Sequence, residues 1–307
     1  MLSLFKTDKS QKIIKKSSIA ILIVFFILPI IFITYYAGLP GRIIGFIIYF
    51  SIFSYGAYEI FAKLNKNVVI NLLVLINIFC IFILPFNELR FSIETGDVSL
   101  NSFILIHYKS WENYLISFGL VLVCALFEPI EWRQRTRNFI IRLVFSYLIG
   151  TFTKFLFFIN INKIELLVVL GLIASFYDVF GYFFGSWLGR KWIKKGFSKI
   201  SPNKSWEGVF FGFLFSATFV ALAFYFIPYF SINYSGVQLS ILIGVSFFAL
   251  PIAAILGDLL FSFIKRSLNI KDFSTLIKSH GGVFDRFDST FLVVIIFSII
   301  SPIISLF

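Results

Sequence analysis

Between Gln238 and Ser262 the chain carries a single charged side chain, Asp258. A run of that length exceeds the roughly 18 apolar residues that cross about 30 Å of hydrocarbon as a helix. Several such runs follow one another, and none alternates apolar with polar residues. Helices, not barrel strands, are therefore the form in which they satisfy their backbone polar groups. Only 14% of the residues are charged against 59% hydrophobic, which excludes an ordinary soluble domain. The expected fold class is all-α: a polytopic integral membrane protein of about nine transmembrane helices. Spans are read at about 17–37, 43–63, 68–86, 113–130, 138–160, 165–187, 207–230, 238–262 and 288–306. The first is longer than the core of a typical signal peptide and is read as an uncleaved span. The fifth is the least regular, because it holds Arg142 and Lys154.

No connection between spans is long enough to enclose a separate core. The chain is read as one membrane domain in two parts: N-terminal helices over 1–165 and a C-terminal catalytic region over 166–307. Cys80 and Cys124 both lie inside apolar runs and are expected as packing thiols, not as a disulfide or metal framework.

Charge sets the expected orientation. The connections 1–16, 63–67, 131–142, 188–206 and 263–287 hold 22 of the 27 Lys and Arg residues. The positive-inside rule puts these, and the N-terminus, in the cytosol and the C-terminus outside. The net charge of +12 is then largely topological. With no soluble basic domain to present it, nucleic acid is not an expected partner; anionic headgroups are. The segment 87–112 is mixed in charge and is expected outside, partly along the interface. His107 is expected there as an exposed histidine without a role.

Four carboxylates lie within the apolar runs: Glu59, Glu128, Asp178 and Asp258. Burying such groups is costly, so each is a candidate for function. Glu59 and Glu128 sit near cytosolic span ends, where snorkelling or pairing with Lys63 or Arg133 would account for them. Asp178 and Asp258 instead head polar stripes. Asp258, Ser262, Lys265 and Arg266 recur at helical spacing, as do Asp178, Tyr182, Gly185 and Gly189. The glycines also suit close helix packing in lipid. Arg190 opens the most basic connection, which runs on to Ser201, Lys204 and Ser205, residue types that contact phosphate. Ser205 and Glu207 equally suit the start of the next helix.

The stretch KSHGGVFDRFD, residues 278–288, closes the last cytosolic connection. Gly281 and Gly282 let backbone approach a ligand closely. Capping by Asp285 or Asp288 explains one acid but not Lys271, Asp272, His280 and Arg286 beside them. Asp258 and Asp285, brought together by the connection, would make a hard oxygen site suited to Mg²⁺. Carboxylates, a divalent ion and cations bordered by lipid read as phosphoryl-type transfer between a nucleotide and a lipid.

Residues 262–288, SFIKRSLNIKDFSTLIKSHGGVFDRFD, resemble the signature of the phosphatidate cytidylyltransferases, the CDP-diacylglycerol synthases. The matched positions are Ser262, Lys265, Arg266, Lys271, Asp272, His280, Gly281, Gly282, Asp285, Arg286 and Asp288. Asp178, Tyr182, Gly185, Gly189 and Arg190, followed by SPNKSWEG at 201–208, resemble the second polar region of that family. The similarity covers about 171–295. It implies nine helices paired as a homodimer in a bacterial cytoplasmic (inner) membrane. It also implies the reaction CTP plus phosphatidate to CDP-diacylglycerol plus pyrophosphate, with Mg²⁺ and a second, monovalent cation such as K⁺. By the same resemblance Asp258 and Asp285 carry the metal. Lys265, Arg266 and Arg286 meet phosphate charge, Lys204 meets CTP or the lipid phosphate, and Asp178 orders Lys204 or the metal. His280 organises the loop or donates to phosphate. Tyr182, Ser201, Ser205, Ser262, Lys271, Asp272, Gly281, Gly282 and Asp288 fall on the substrates. Two other readings of the residues stand beside this one: a CTP-dependent polyprenol kinase or cytidylyltransferase for another lipid phosphate, and an ion-coupled transporter.

Overall fold

The computed structural model of the chain describes residues 27–96, 98–274 and 281–307. Residues 1–26, which hold about half of the first expected span, and His280 in the last connection lie outside the described residues. The helices are α1 (Ile27–Tyr36), α2 (Gly38–Leu64), α3 (Val68–Ile83), α4 (Phe86–Thr95), α5 (Leu100–Lys109), α6 (Trp111–Leu126), α7 (Trp132–Asn162), α8 (Ile164–Trp187), α9 (Trp206–Phe226), α10 (Pro228–Asn233), α11 (Gly236–Ser267) and α12 (Phe284–Ile304). No strand occurs among the described residues. By length and composition six of these helices can cross a membrane: α2, α7, α8, α9, α11 and α12. The pair α3 and α4, bent by 61° at its break, would make a seventh if counted as one span, and α1 and α6 are shorter apolar helices.

The segment 87–112 departs from the expected loop. It folds into α4, α5 and the start of α6, and His107 is fully buried. His107 shares Nε2 with the Thr151 hydroxyl at 3.2 Å and lies 3.1 Å from Lys154 through Nδ1. Leu100, Phe103, Ile104 and His107, recurring at helical spacing, give α5 a buried inner face, which the segment's average composition hides.

The polar residues that made the fifth run irregular are matched inside the bundle. Arg142 of α7 donates to both oxygens of Glu128, at 2.6 and 2.8 Å. Asn65 and Asn138 donate to the same carboxylate. Glu128 therefore pairs with Arg142 and two amides rather than with Lys63 or Arg133. Lys154 donates to the carbonyl of Leu84 at the break between α3 and α4.

Small residues set the helix spacing at one end of the bundle. A side chain at Gly208 of α9 would collide with the Gly181 carbonyl of α8 at 2.6 Å, and one at Gly212 with the Tyr177 carbonyl at 2.7 Å. A side chain at Gly257 of α11 would run into the Asp288 carbonyl of α12. These contacts bring α8, α9, α11 and α12 close enough for their polar side chains to meet. Beneath them a cluster of rings fills the bundle. Phe261 stacks on Phe284 at 5.6 Å and meets Phe291 edge-on at 5.1 Å, and Phe291 lies 4.9 Å from Phe152.

Candidate active site

The connection 188–205 folds back on itself and delivers Lys204 to the bundle. Arg190 takes a left-handed φ of 64° as it leaves α8, and its guanidinium reaches the Pro202 carbonyl at 3.1 Å. Phe197 donates to the Lys204 carbonyl at 2.8 Å. Glu207 accepts the backbone N–H groups of Arg190, Trp192 and Ile193, at 3.1, 2.8 and 2.9 Å. One buried carboxylate thus anchors the whole turn. Ser205 caps α9 by accepting from Gly208, so its hydroxyl serves the helix, and Ser201 accepts from the Lys204 backbone N–H.

Lys204 forms an ion pair with Asp258 of α11. Its ammonium also donates to the Tyr177 hydroxyl at 3.2 Å and lies 5.0 Å from the centre of the Tyr177 ring. Burial works against a charged amine here, but Asp258, Tyr177 and Asp178 outweigh it and hold Lys204 above the ordinary lysine range. Tyr177 was not singled out by sequence; it precedes Asp178 and looks like a core aromatic.

A second pair joins α11 to α12. Lys265 donates to Asp285 Oδ1 at 2.9 Å. Asp285 Oδ2 accepts the backbone N–H of Phe273 at 3.0 Å and of Gly282 at 2.7 Å. Gly281 has a φ of +79°, and a side chain there would collide with Asp285, so the glycine is required by both backbone and space. Glu59 of α2 holds the same connection from the other side. It accepts from the Ser274 hydroxyl and from the Val283 N–H at 3.0 Å. Its partners therefore lie in the signature loop. Only their distance of more than 200 positions along the chain hid them.

Asp178 accepts from the Ser289 hydroxyl of α12 at 3.2 Å, and Asp288 from the Ser289 N–H. The charges of Asp178, Asp258 and Asp288 act on one another, and Arg286 and Lys204 act on Asp178. Ser262 is half-buried on the same helix, while Arg266, Lys271, Asp272 and Arg286 are exposed. Arg266 donates to the Ile270 carbonyl at 3.2 Å.

A cavity of about 270 Å³ opens beside Lys204 between α8 and α9. Its walls include Asp178, Tyr182, Gly185, Asn203 and Lys204. The stripe expected from Asp178, Tyr182 and Gly185 is thus one wall of a real opening. Asn203 and Ser186, which also line it, had no marker beyond their neighbours.

Hard oxygen donors of this kind suit Mg²⁺. Among the described residues no three potential ligands converge. An ion there would be held by one or two carboxylates and completed by phosphate oxygens and water. Asp258 is partly exposed. Asp285 accepts three hydrogen bonds of about four that a carboxylate can take, so one position remains.

Comparison with known proteins gives the same direction along most of the chain. The model of the cytidylyltransferase family matches residues 18–304. A phosphatidate cytidylyltransferase of Rickettsia bellii is 34% identical over 209 residues, 67% of this chain and 87% of the relative. One from Haemophilus influenzae is 31% identical over 209 residues, 64% of this chain and 67% of the relative. One from Aquifex aeolicus is 36% identical over 154 residues, 47% of this chain and 53% of the relative.

Proposed function

The chain belongs to the cytidylyltransferase family, and from that premise we propose that it converts CTP and phosphatidate to CDP-diacylglycerol and pyrophosphate within a membrane. The observation that carries this reading is the pair of ion pairs that α11 makes inside an apolar helical bundle, Lys204 with Asp258 and Lys265 with Asp285, with Lys204 lining an open cavity.

A phosphate oxygen of phosphatidate attacks the α-phosphorus of CTP. A P–O bond forms there, the bond to the bridging oxygen of the β-phosphate breaks, and pyrophosphate leaves with that electron pair. The attacking group is already an oxyanion at neutral pH, so no strong base is needed. The task is to hold two polyanions together in line, which falls to positioning and charge. Lys204 stays protonated between Asp258 and Tyr177 and faces the cavity with its charge intact. Lys265, Arg266 and Arg286 supply further positive charge at the same end. Asp258 and Asp285 would hold Mg²⁺, with K⁺ as a second ion. When bound, Mg²⁺ neutralises phosphate charge and fixes the geometry of the triphosphate. The two lysines that bond these carboxylates would turn to the phosphates as the ion arrives.

The same reading gives nine spans with the N-terminus and the basic connections on the cytosolic side, in a bacterial inner membrane. The concentration of Lys and Arg in the connections 188–206 and 263–287 supports it. Homodimeric assembly follows from the family resemblance, and cross-linking in bilayers tests it.

The deciding experiment supplies purified protein with CTP, a panel of lipid acceptors and Mg²⁺. CDP-diacylglycerol and pyrophosphate are expected, with turnover lost on chelation. Release of CDP with phosphorylation of a polyprenol would overturn the reading in favour of a kinase. Ion flux in liposomes without nucleotide would overturn it in favour of a transporter.

A further inference from the structure

A second cavity of about 600 Å³ lies between α1, α2, α8 and α12. Its α8 wall is a stripe at helical spacing, Leu167, Gly171 and Ser175, and the next turn of that helix brings Asp178 of the polar site. At 1.5 Å per residue the lining from Leu167 to Ser175 runs roughly 12 Å along α8. That is most of the hydrocarbon depth of one leaflet, half of roughly 30 Å. Two polar side chains along the wall are satisfied within the protein. Ser175 donates to the Gly171 carbonyl at 2.9 Å, and the Tyr49 hydroxyl accepts from Asn160 at 3.0 Å. Arg286 and Thr290 of α12 line the groove as well, and the Arg286 charge acts on Asp178. One end of an otherwise apolar groove therefore bears a guanidinium that belongs to the polar site.

We propose that this groove holds one acyl chain of the phosphatidate substrate, with Arg286 at the lipid phosphate. The inference rests on the function given above and extends it to how the lipid is seated. A groove roughly 12 Å long on α8, mostly apolar in lining and cationic at the end nearest the carboxylates, matches part of one chain of a lipid with an anionic head. Gly171 faces the space directly: a side chain built there meets no atom within 4 Å. A Cβ there enters open space, so a larger residue at 171 projects into the groove.

Two measurements test this. In the first, a phosphatidate with a diazirine midway along one acyl chain is photolysed with the full chain in nanodiscs, and labelled positions are read by mass spectrometry. Label on Ile52, Leu167 or Leu172, competed by unlabelled phosphatidate and absent in Gly171→Trp, is expected. In the second, kcat/KM is measured with dipalmitoyl and with dioctanoyl phosphatidate. Gly171→Leu and Gly171→Trp are expected to lower the value for the long lipid by about tenfold or more, as overfilled apolar sites do. The short lipid and the KM for CTP should change by less than about threefold. Equal losses for both lipids, no loss, or label on residues 1–26 or on outward faces instead of the groove would each overturn the proposal. Should Gly171→Trp not fold, Gly171→Leu and the wild-type labelling decide it. If the wild-type protein turns over neither lipid, the assigned reaction fails, while the labelling still decides the groove.

Discussion

Two clusters of charge lie inside this apolar bundle, and they differ in what reaches them. Around α7, Glu128 and Arg142 are buried to 1% and 0% exposure, and His107 and Lys154 are fully buried. Their partners are protein groups: two amides at Glu128, a carbonyl and a histidine at Lys154. In the second cluster Lys204 and Asp258 stand partly open, whereas the Lys265 and Asp285 side chains are 11% and 3% exposed. The Lys204 side chain is 30% exposed and that of Asp258 14%, and a cavity adjoins them. An ionisable residue inside a membrane protein is a functional candidate by default. Access, not the mere presence of charge, sets Lys204 and Asp258 apart from the enclosed pairs.

The largest effect on turnover is expected at Asp258. Asp258→Asn should lower kcat by at least about a hundredfold, the scale of losing a placed electrostatic group, with the size-exclusion profile unchanged. It should also release Lys204. With the carboxylate gone, burial is no longer outweighed and the amine falls back toward or below the ordinary value of about 10.4. The wild-type group is held above that value, so its charge persists until the pH exceeds the ordinary lysine range. An amine-reactive probe at pH 9 should therefore leave Lys204 unmodified in the wild type and label it in Asp258→Asn. Equal labelling would break the claim that Asp258 sets the state of Lys204. Asp285→Asn should likewise abolish turnover in folded protein; undiminished activity would remove Asp285 from the metal assignment.

Glu59 stands between the two clusters. It is buried, yet its partners, Ser274 and Val283, flank the signature loop. Among the described residues its hydrogen bonds go to Ser274 and Val283, so it acts as a positioning residue. Glu59→Gln should lower kcat by about tenfold, with Glu59→Asp recovering part of it, because a misplaced site loses rate without losing its groups. A loss confined to thermal stability, with kcat intact, would move Glu59 into the bracing class.

Sequence made the open cluster legible and left the closed one obscure. Lys265, Arg266, Asp285 and Arg286 fall within one short stretch, so their spacing alone puts them at one helix end. The pairing of Lys204 with Asp258 joins residues 54 positions apart, and only the stripe on each helix hinted at it. Glu59 was noticed as an intramembrane carboxylate but assigned to a neighbouring lysine, because its true partners are remote in the chain. His107 was placed in an exposed loop because averaged composition over 87–112 conceals a buried face. The helical runs themselves were readable from hydropathy, whereas the bend between α3 and α4 depends on packing that no window reports.

The smallest effect on turnover is expected in the closed cluster, and there Glu128 and Lys154 separate further. Glu128→Gln leaves Arg142 buried without its counter-charge, which in comparable pairs costs about 3–5 kcal/mol. The thermal midpoint should fall sharply while the folded fraction keeps its kcat/KM. Lys154 differs, since among the described residues no carboxylate forms an ion pair with it. Lys154→Met removes a donor from the Leu84 carbonyl and from His107, a cost of about 1–3 kcal/mol for buried groups left unpaired. Part of that loss is offset, because a buried amine with no counter-ion is replaced by an apolar chain of similar length. Stability should therefore fall less in Lys154→Met than in Glu128→Gln, with kcat/KM unchanged in both. A parallel drop in turnover in either variant would mean that the brace around α7 transmits to Asp258, and the division between enclosed and accessible charge would no longer hold.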